Sequence, residues 1–364
     1  MRLGLLLALP LLGAPARGQI DLARYQEEFD RGVGLLRQGK HAEGIAAFER
    51  CLEMAPDEPD ATYNIACGYA LSGEKGKALE WLGKAAERGF VDAKLAADDP
   101  DLNPIRGEEG FPPILGKIGA NATRARQRAD EAAKEARVPV VREPPGYDRS
   151  KPTPLLVVLH GLGGSKAEFV RPFEDAAAEA GFLLFSVQGT VPTREGGYAW
   201  YDGGYAQAPG RYEGGILEVV RQAKRERAID AERIYLLGFS EGALMAVHAG
   251  LRAPGLFRGA VGLGGAYHPD ALVGTAALRT AAERGFRAYL MVGDKDAEAL
   301  KESTKRAAEA LRAAGLKVEE KSYAGGHALP EAASRKAAIL EALRWLDRNA
   351  PAPETKPASG ERKG

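Results

Sequence analysis

The sequence predicts two unlike parts: an all-α region, then an α/β domain built on a mostly parallel sheet with helices on both faces. Three observations predict this. Between Asp21 and about Phe90, small residues recur at a spacing of 34, as stacked helix pairs require. From Val138 onward, continuous apolar runs of strand length alternate with helical stretches, the pattern of strands buried on both faces. Residues able to do chemistry fall just past the ends of those runs, where open parallel sheets gather their sites.

At 364 residues the chain has room for two domains and at least one large core. Lysine plus arginine equals aspartate plus glutamate at 50 each, so global charge argues for neither a nucleic acid nor an anionic membrane as partner. The first 18 residues read as a secretory signal peptide. Met1-Arg2 supplies the basic start, Leu3 to Leu12 the short apolar core, and Ala16-Arg17-Gly18 the small-x-small cleavage site. That core is about half the length needed to span a bilayer, so no transmembrane segment is expected. No cysteine follows the cleavage site, which argues against a lipid anchor there. A soluble secreted or periplasmic protein is therefore expected. Its two cysteines, Cys51 and Cys67, could pair in an oxidising compartment, but both fall where the helical repeat wants small buried residues, and buried thiols are expected.

The 34-residue offset relates Gly32 to Ala66, Gly39 to Gly73, Gly44 to Ala78, Phe48 to Leu82, Cys51 to Ala85 and Leu52 to Ala86. This is the tetratricopeptide period, and small residues let its helices approach closely. Pro56 closes the first unit, and Ala93 to Leu115 is expected to add a degenerate helical cap, giving a repeat domain over 19–115. Such repeats imply a protein partner. Residues 116–137 are rich in alanine, arginine and glutamate and read as a solvated connecting helix. Within them Asn121-Ala122-Thr123 is a glycosylation sequon. The tail 350–364 is charged and proline-rich, a composition expected to be disordered.

The α/β domain, 138–349, is read in order. Strands are expected at Leu155–Leu159, Phe182–Val187, Ile234–Leu237, Gly259–Leu263, Arg287–Val292 and Lys317–Tyr323. Helices are expected near Lys166–Ala180, Gly215–Arg227, Glu241–Leu251, Ala297–Ala314 and Glu331–Arg348. The first strand leads into the glycine-rich turn His160-Gly161-Leu162-Gly163-Gly164. The third leads into Gly238-Phe239-Ser240-Glu241-Gly242, a strand–Gly-x-Ser-x-Gly–helix elbow. Asp294 and Asp296 follow the fifth strand, and His327 follows the sixth. Nucleophile, acid and histidine in that order are the signature of an α/β-hydrolase.

Each residue type has a reason to be there. A serine hydroxyl is a poor nucleophile until a base takes its proton, so Ser240 needs His327, and His327 needs a carboxylate to fix its tautomer. The tetrahedral oxyanion needs preorganised donors, expected from the backbone N–H groups of Glu241 and Leu162. Other histidines are less suited: His41 lies in the repeats, His160 in the glycine turn, His248 inside the helix after the elbow, and His268 upstream of the acid. Asp294 and Asp296 share one loop, and only one can face the histidine. Trp200 and Asp202, in the glycine- and tyrosine-rich loop Gly196 to Tyr212, could line a substrate pocket, or Trp200 could be core.

The segments Leu156 to Gly164, Tyr198 to Asp202 and Gly238 to Ala246, with Tyr323 to His327, resemble the phospholipase/carboxylesterase family, which includes acyl-protein thioesterases. The resemblance covers roughly Pro154 to Leu346 and implies metal-free, cofactor-free hydrolysis of esters or thioesters. It puts the acid on Asp296 and the oxyanion donors at Leu162 and Glu241. The chain departs from the family at two places near the site. Glu241 stands where the family has glutamine, which adds negative charge next to the nucleophile and is expected to disfavour anionic acyl groups. The acid loop also lacks the Val-Pro that follows the family's aspartate.

The leading expectation is an exported serine esterase acting on small esters, with repeats that contact a protein. Two others compete. A degenerate hydrolase serving as an interaction module is suggested by the altered acid loop. A serine peptidase of the same superfamily is disfavoured by the lack of a β-rich partner domain.

Overall fold

The computed structural model describes residues 22–193, 196–201, 212–267 and 274–347. The predicted signal peptide, the tail 350–364, Asp202 and His268 lie outside the described residues. The chain divides between Glu131 and Ala132 into two units.

Among the described residues the first unit is all helix: α1 (Leu22–Arg37), α2 (His41–Met54), α3 (Pro59–Leu71), α4 (Lys75–Glu87), α5 (Ala93–Asp98), a 3₁₀ turn (Pro100–Leu102), α6 (Asn103–Arg106) and the start of α7 (Phe111–Glu135). Turns of three or four residues join the first four, so neighbours fold back on one another. Local chemistry sets the α3 start. Buried Glu58 caps it by accepting the N–H groups of Asp60 and Ala61, with Pro59 at the first helical position. Small residues permit close approach: a Cβ at Gly44 would lie 2.6 Å from Leu36. Phe48, Ile65, Leu82, Leu102, Ile105 and Ile118 fill the core, and Cys51 and Cys67 are buried free thiols within it. Burial pushes the Cys51 thiol up to about 12, so it stays protonated and inert.

The segment expected as a solvated linker from residue 116 is packed over its first turns. Ile118 is fully buried, and Asn121 Nδ2 donates to the carbonyls of Ala86 (2.8 Å) and Phe90 (3.0 Å). One apolar residue per turn and a single asparagine suffice for that contact, too narrow a stripe to read from sequence. The same bonds occupy the amide nitrogen that the sequon would offer to a glycan.

The second unit comprises β1 (Val140–Arg142), β2 (Thr153–Leu159), α8 (Lys166–Phe169), a 3₁₀ turn (Arg171–Phe173), α9 (Glu174–Glu179), β3 (Leu183–Val187), β4 (Val191–Pro192), β5 (Tyr198–Ala199) and α10 (Gly214–Glu226). It continues through β6 (Ile229–Phe239), α11 (Glu241–Arg252), β7 (Gly259–Leu263), α12 (Thr275–Glu283), β8 (Arg287–Gly293), α13 (Glu298–Ala313), β9 (Lys317–Tyr323) and α14 (Ala332–Leu346). Among the described residues seven strands form one sheet in the order β1-β3-β2-β6-β7-β8-β9, with only β1 antiparallel to its neighbour. The two-residue period of β2 divides the core. Leu155, Val157 and Leu159 pack with residues of α10, α11 and α13, while Leu156 and Val158 pack with Phe173, Ala176 and residues of α14.

Two expected elements differ. The helix expected over Lys166–Ala180 breaks at Arg171–Phe173, because Pro172 cannot continue the hydrogen-bond ladder. The third strand extends back to Ile229, which pairs with Thr153 across a register shift in β2, while Ala231 and Glu232 stay exposed and carry no apolar pattern.

Candidate active site

The parallel register aligns the carboxyl ends of the strands. Leu159 pairs with Gly238, and Gly238 with Gly262, so the His160 turn and Ser240 emerge side by side. β8 and β9, paired from Arg287–Lys317 to Gly293–Tyr323, bring Asp296 and His327 to the same edge.

Ser240 sits between β6 and α11 with φ 55 and ψ −119, and is alone among the described non-glycine residues in having a positive φ. Such strain persists only where the surroundings over-determine it. Here the Ser240 N–H donates to Leu263 O at 2.8 Å, and the flanking glycines allow close backbone contact. A Cβ on Gly238 would strike the Gly242 carbonyl, and one on Gly242 would strike the carbonyls of Leu159 and His160. The elbow is thereby wedged against the end of β2.

His327 Nε2 lies 2.9 Å from Ser240 Oγ, and its Nδ1 lies 3.3 Å from Asp296 Oδ1. Asp296 is buried, and its Oδ2 accepts the Gly293 N–H at 2.9 Å. Asp294 is exposed and turns elsewhere, accepting the Gly325 N–H at 2.8 Å and tying the acid loop to the histidine loop. Of the two candidate acids, then, Asp296 faces the histidine and Asp294 anchors its backbone. The Phe239 ring lies 5.2 Å from the imidazole, centroid to centroid.

The glycine turn is held from several sides. Burial lowers the His160 pKa to about 4, so its ring is neutral. Its Nε2 accepts the Gly189 N–H at 3.0 Å, which leaves Nδ1 to donate to Gly161 O at 2.7 Å. Gln188 Nε2 lies 3.0 Å from the same Nε2. β5 crosses the turn: Gly163 N–H donates to Tyr198 O and Tyr198 N–H to Gly164 O, both at 3.0 Å. Among the described residues, neither the Leu162 nor the Glu241 amide has a backbone acceptor.

Trp200, expected as a possible pocket residue, is packed instead. It is 2% exposed, within the core, and its Nε1 donates to His160 O at 2.7 Å. Its even burial was not legible because an aromatic in a glycine-rich loop has no periodic context. Gln188 and the Trp200 contact were missed at the sequence level. Gln188 directly follows an expected strand, and that position was the one available signal.

Glu241 also departs from expectation. Its side chain does not add charge beside the serine at neutral pH. It is buried, its Oε2 accepts the Trp200 N–H at 3.1 Å, and desolvation raises its pKa to about 8 despite backbone N–H bonds from Trp200 and Tyr201. The folded protein holds a proton that the unfolded chain releases near 4.5, so burial of this acid costs stability increasingly from about pH 4.5 to about pH 8. Glu241→Gln is expected to raise stability by a few kcal/mol, roughly, above pH 8, with little change at about pH 5, as thermal melts at both pH values would show.

The Phospholipase/Carboxylesterase family matches residues 146–338, more than half of the chain. The chain belongs to the phospholipase/carboxylesterase family. Among solved structures, a protein from Bacillus cereus is 19% identical, with 89% of this chain and 99% of that one covered and a TM-score of 0.46. A ferulic acid esterase is 17% identical over 57% of this chain and 91% of its own, TM-score 0.46. A fluorophosphonate-binding serine hydrolase of Staphylococcus aureus is 18% identical over 57% and 90%, TM-score 0.43. A curated chloroplast protein of Arabidopsis thaliana is 30% identical over 96 residues, 26% of this chain, and the chain spans only 29% of that relative's length.

Proposed function

We propose that this phospholipase/carboxylesterase-family chain is an exported serine esterase that cleaves small carboxylic esters or thioesters through an acyl-enzyme. The observation that carries the reading is the continuous line from Ser240 Oγ to His327 Nε2 (2.9 Å) and from His327 Nδ1 to Asp296 Oδ1 (3.3 Å), ending on a strained nucleophile. In this mechanism Ser240 Oγ attacks the acyl carbon as its proton passes to Nε2, and the buried Asp296 stabilises the resulting imidazolium. The amides of Leu162 and Glu241 receive the oxyanion. Collapse expels the alcohol or thiol, which takes the proton from His327. Water then repeats the sequence to free the acid and restore the serine. No cofactor enters any step.

The helical region is proposed as a tetratricopeptide module that binds a protein partner. The 34-residue spacing supports this, as do the positive φ angles of Gly39 (75) and Gly73 (81), one repeat apart. Export is proposed from the Met1–Gly18 segment and is tested by N-terminal sequencing of the secreted protein, expected to begin at Gln19.

The activity is tested with chromogenic esters of graded acyl length and a fluorophosphonate probe. Hydrolysis of short-chain esters and labelling of Ser240 are expected. A chain that cleaves no ester and takes no label at Ser240 would be a degenerate interaction module instead.

A further inference from the structure

Two oxyanion donors must stand a fixed distance apart, yet Leu162 and Glu241 belong to different elements, the turn after β2 and the first turn of α11. The β2–β6 register and the Gly242 contact bring the two elements together, but among the described residues no backbone hydrogen bond joins the Leu162 turn to α11. One short segment, Tyr198 to Tyr201, touches both. Toward the Leu162 turn it makes three bonds: Tyr198 O with the Gly163 N–H, Tyr198 N–H with Gly164 O, and Trp200 Nε1 with His160 O at 2.7 Å. Toward α11 it makes its bonds to one side chain, Glu241, whose carboxyl group accepts the backbone N–H groups of Trp200 (3.1 Å) and Tyr201.

We infer that the Glu241 side chain is a positioning residue that spaces the two oxyanion donors, clamping the Trp200–Tyr201 backbone to α11 so that the segment holds the Leu162 turn opposite the Glu241 amide. The inference rests on the oxyanion roles proposed above. The clamp also accounts for a costly choice of residue. Glu241 Oε1 is buried with no hydrogen-bond partner among the described residues, which lowers stability. What the buried acid contributes is therefore the pair of bonds to Trp200 and Tyr201. An amide at this position could accept the same N–H groups, whereas alanine could accept none.

The test compares full-length wild type, Glu241→Gln, Glu241→Ala and Trp200→Phe on p-nitrophenyl acetate, with circular dichroism to verify folding. Loosening one donor is expected to lower kcat by roughly 10- to 100-fold in Glu241→Ala, with KM moved less than about 3-fold, because the oxyanion forms only in the transition state. Glu241→Gln should restore kcat to within about 3-fold of wild type in the same assay. Trp200→Phe removes the bond to His160 O together with part of the buried indole, and should lower kcat by roughly 10-fold. Wild-type kcat in Glu241→Ala, or an equal loss in Glu241→Gln, would overturn the clamp while leaving the esterase intact. If Glu241→Ala does not fold, an unchanged kcat in Trp200→Phe overturns it equally. An inactive wild type would instead remove the serine-esterase reading, and the clamp with it.

Discussion

Replacing Ser240 with alanine is expected to lower ester hydrolysis by on the order of 10⁴- to 10⁶-fold while the protein stays folded. The hydroxyl is half-buried and bonded to one partner, His327 Nε2, so its loss leaves no cavity of consequence and no unpaired buried donor. His327→Ala should fall in the same range, because nucleophile and base act as one unit and their losses do not add. The acids separate more sharply. Asp296→Asn keeps the shape but loses the charge that fixes the His327 tautomer, and is expected to cost about 10³- to 10⁴-fold in kcat. Asp294→Asn keeps an oxygen able to accept the Gly325 N–H, and should stay within about 3-fold of wild type. Steady-state kinetics on a p-nitrophenyl ester check all four. Equal losses at 294 and 296 would sink the assignment of Asp296.

Gly242→Ala is expected to be strongly damaging to the elbow, as Gly238→Ala is. The added Cβ would lie under 3.0 Å from the carbonyls of both Leu159 and His160, and these are backbone atoms at the end of a central strand. A flexible side chain could swing away, but this carbonyl pair cannot move without dragging the glycine turn and breaking the β2–β6 register. A loss of about 4 kcal/mol or more is expected, a drop of roughly 10 °C in Tm for a unit of this size. Gly215→Ala, where a Cβ in the first turn of α10 meets nothing within 4 Å, serves as the control. It should be neutral or slightly stabilising. Matched thermal melts of the two variants decide the point, and a Gly242→Ala protein as stable as Gly215→Ala would contradict it.

What could be read beforehand follows from range. The apolar runs that became β2, β3, β7 and β8 are local and continuous, so their existence and order were legible. β1 was not: its three residues are partly exposed and gain their place only by pairing with Leu184, Phe185 and Ser186. α12 was missed because an alanine-rich stretch of nine residues carries little periodic signal. The reach of α7 into the helical core depends on Ile118 and Asn121 meeting chain more than 30 residues earlier, a contact that spacing does not encode.

The sequence by itself determined the elbow, since only glycine fits where backbones touch and Gly238 and Gly242 flank Ser240 at the required positions. It determined the order of serine, acid and histidine along the chain as well. Only the tertiary structure shows that Asp296 faces His327 while Asp294 bonds the Gly325 N–H, because two residues of one loop differ solely in which way each turns from β8. It alone decided the character of Glu241. A carboxyl group beside a nucleophile is charged if it meets water and neutral if it is buried, and burial against Trp200 comes from chain 41 residues away.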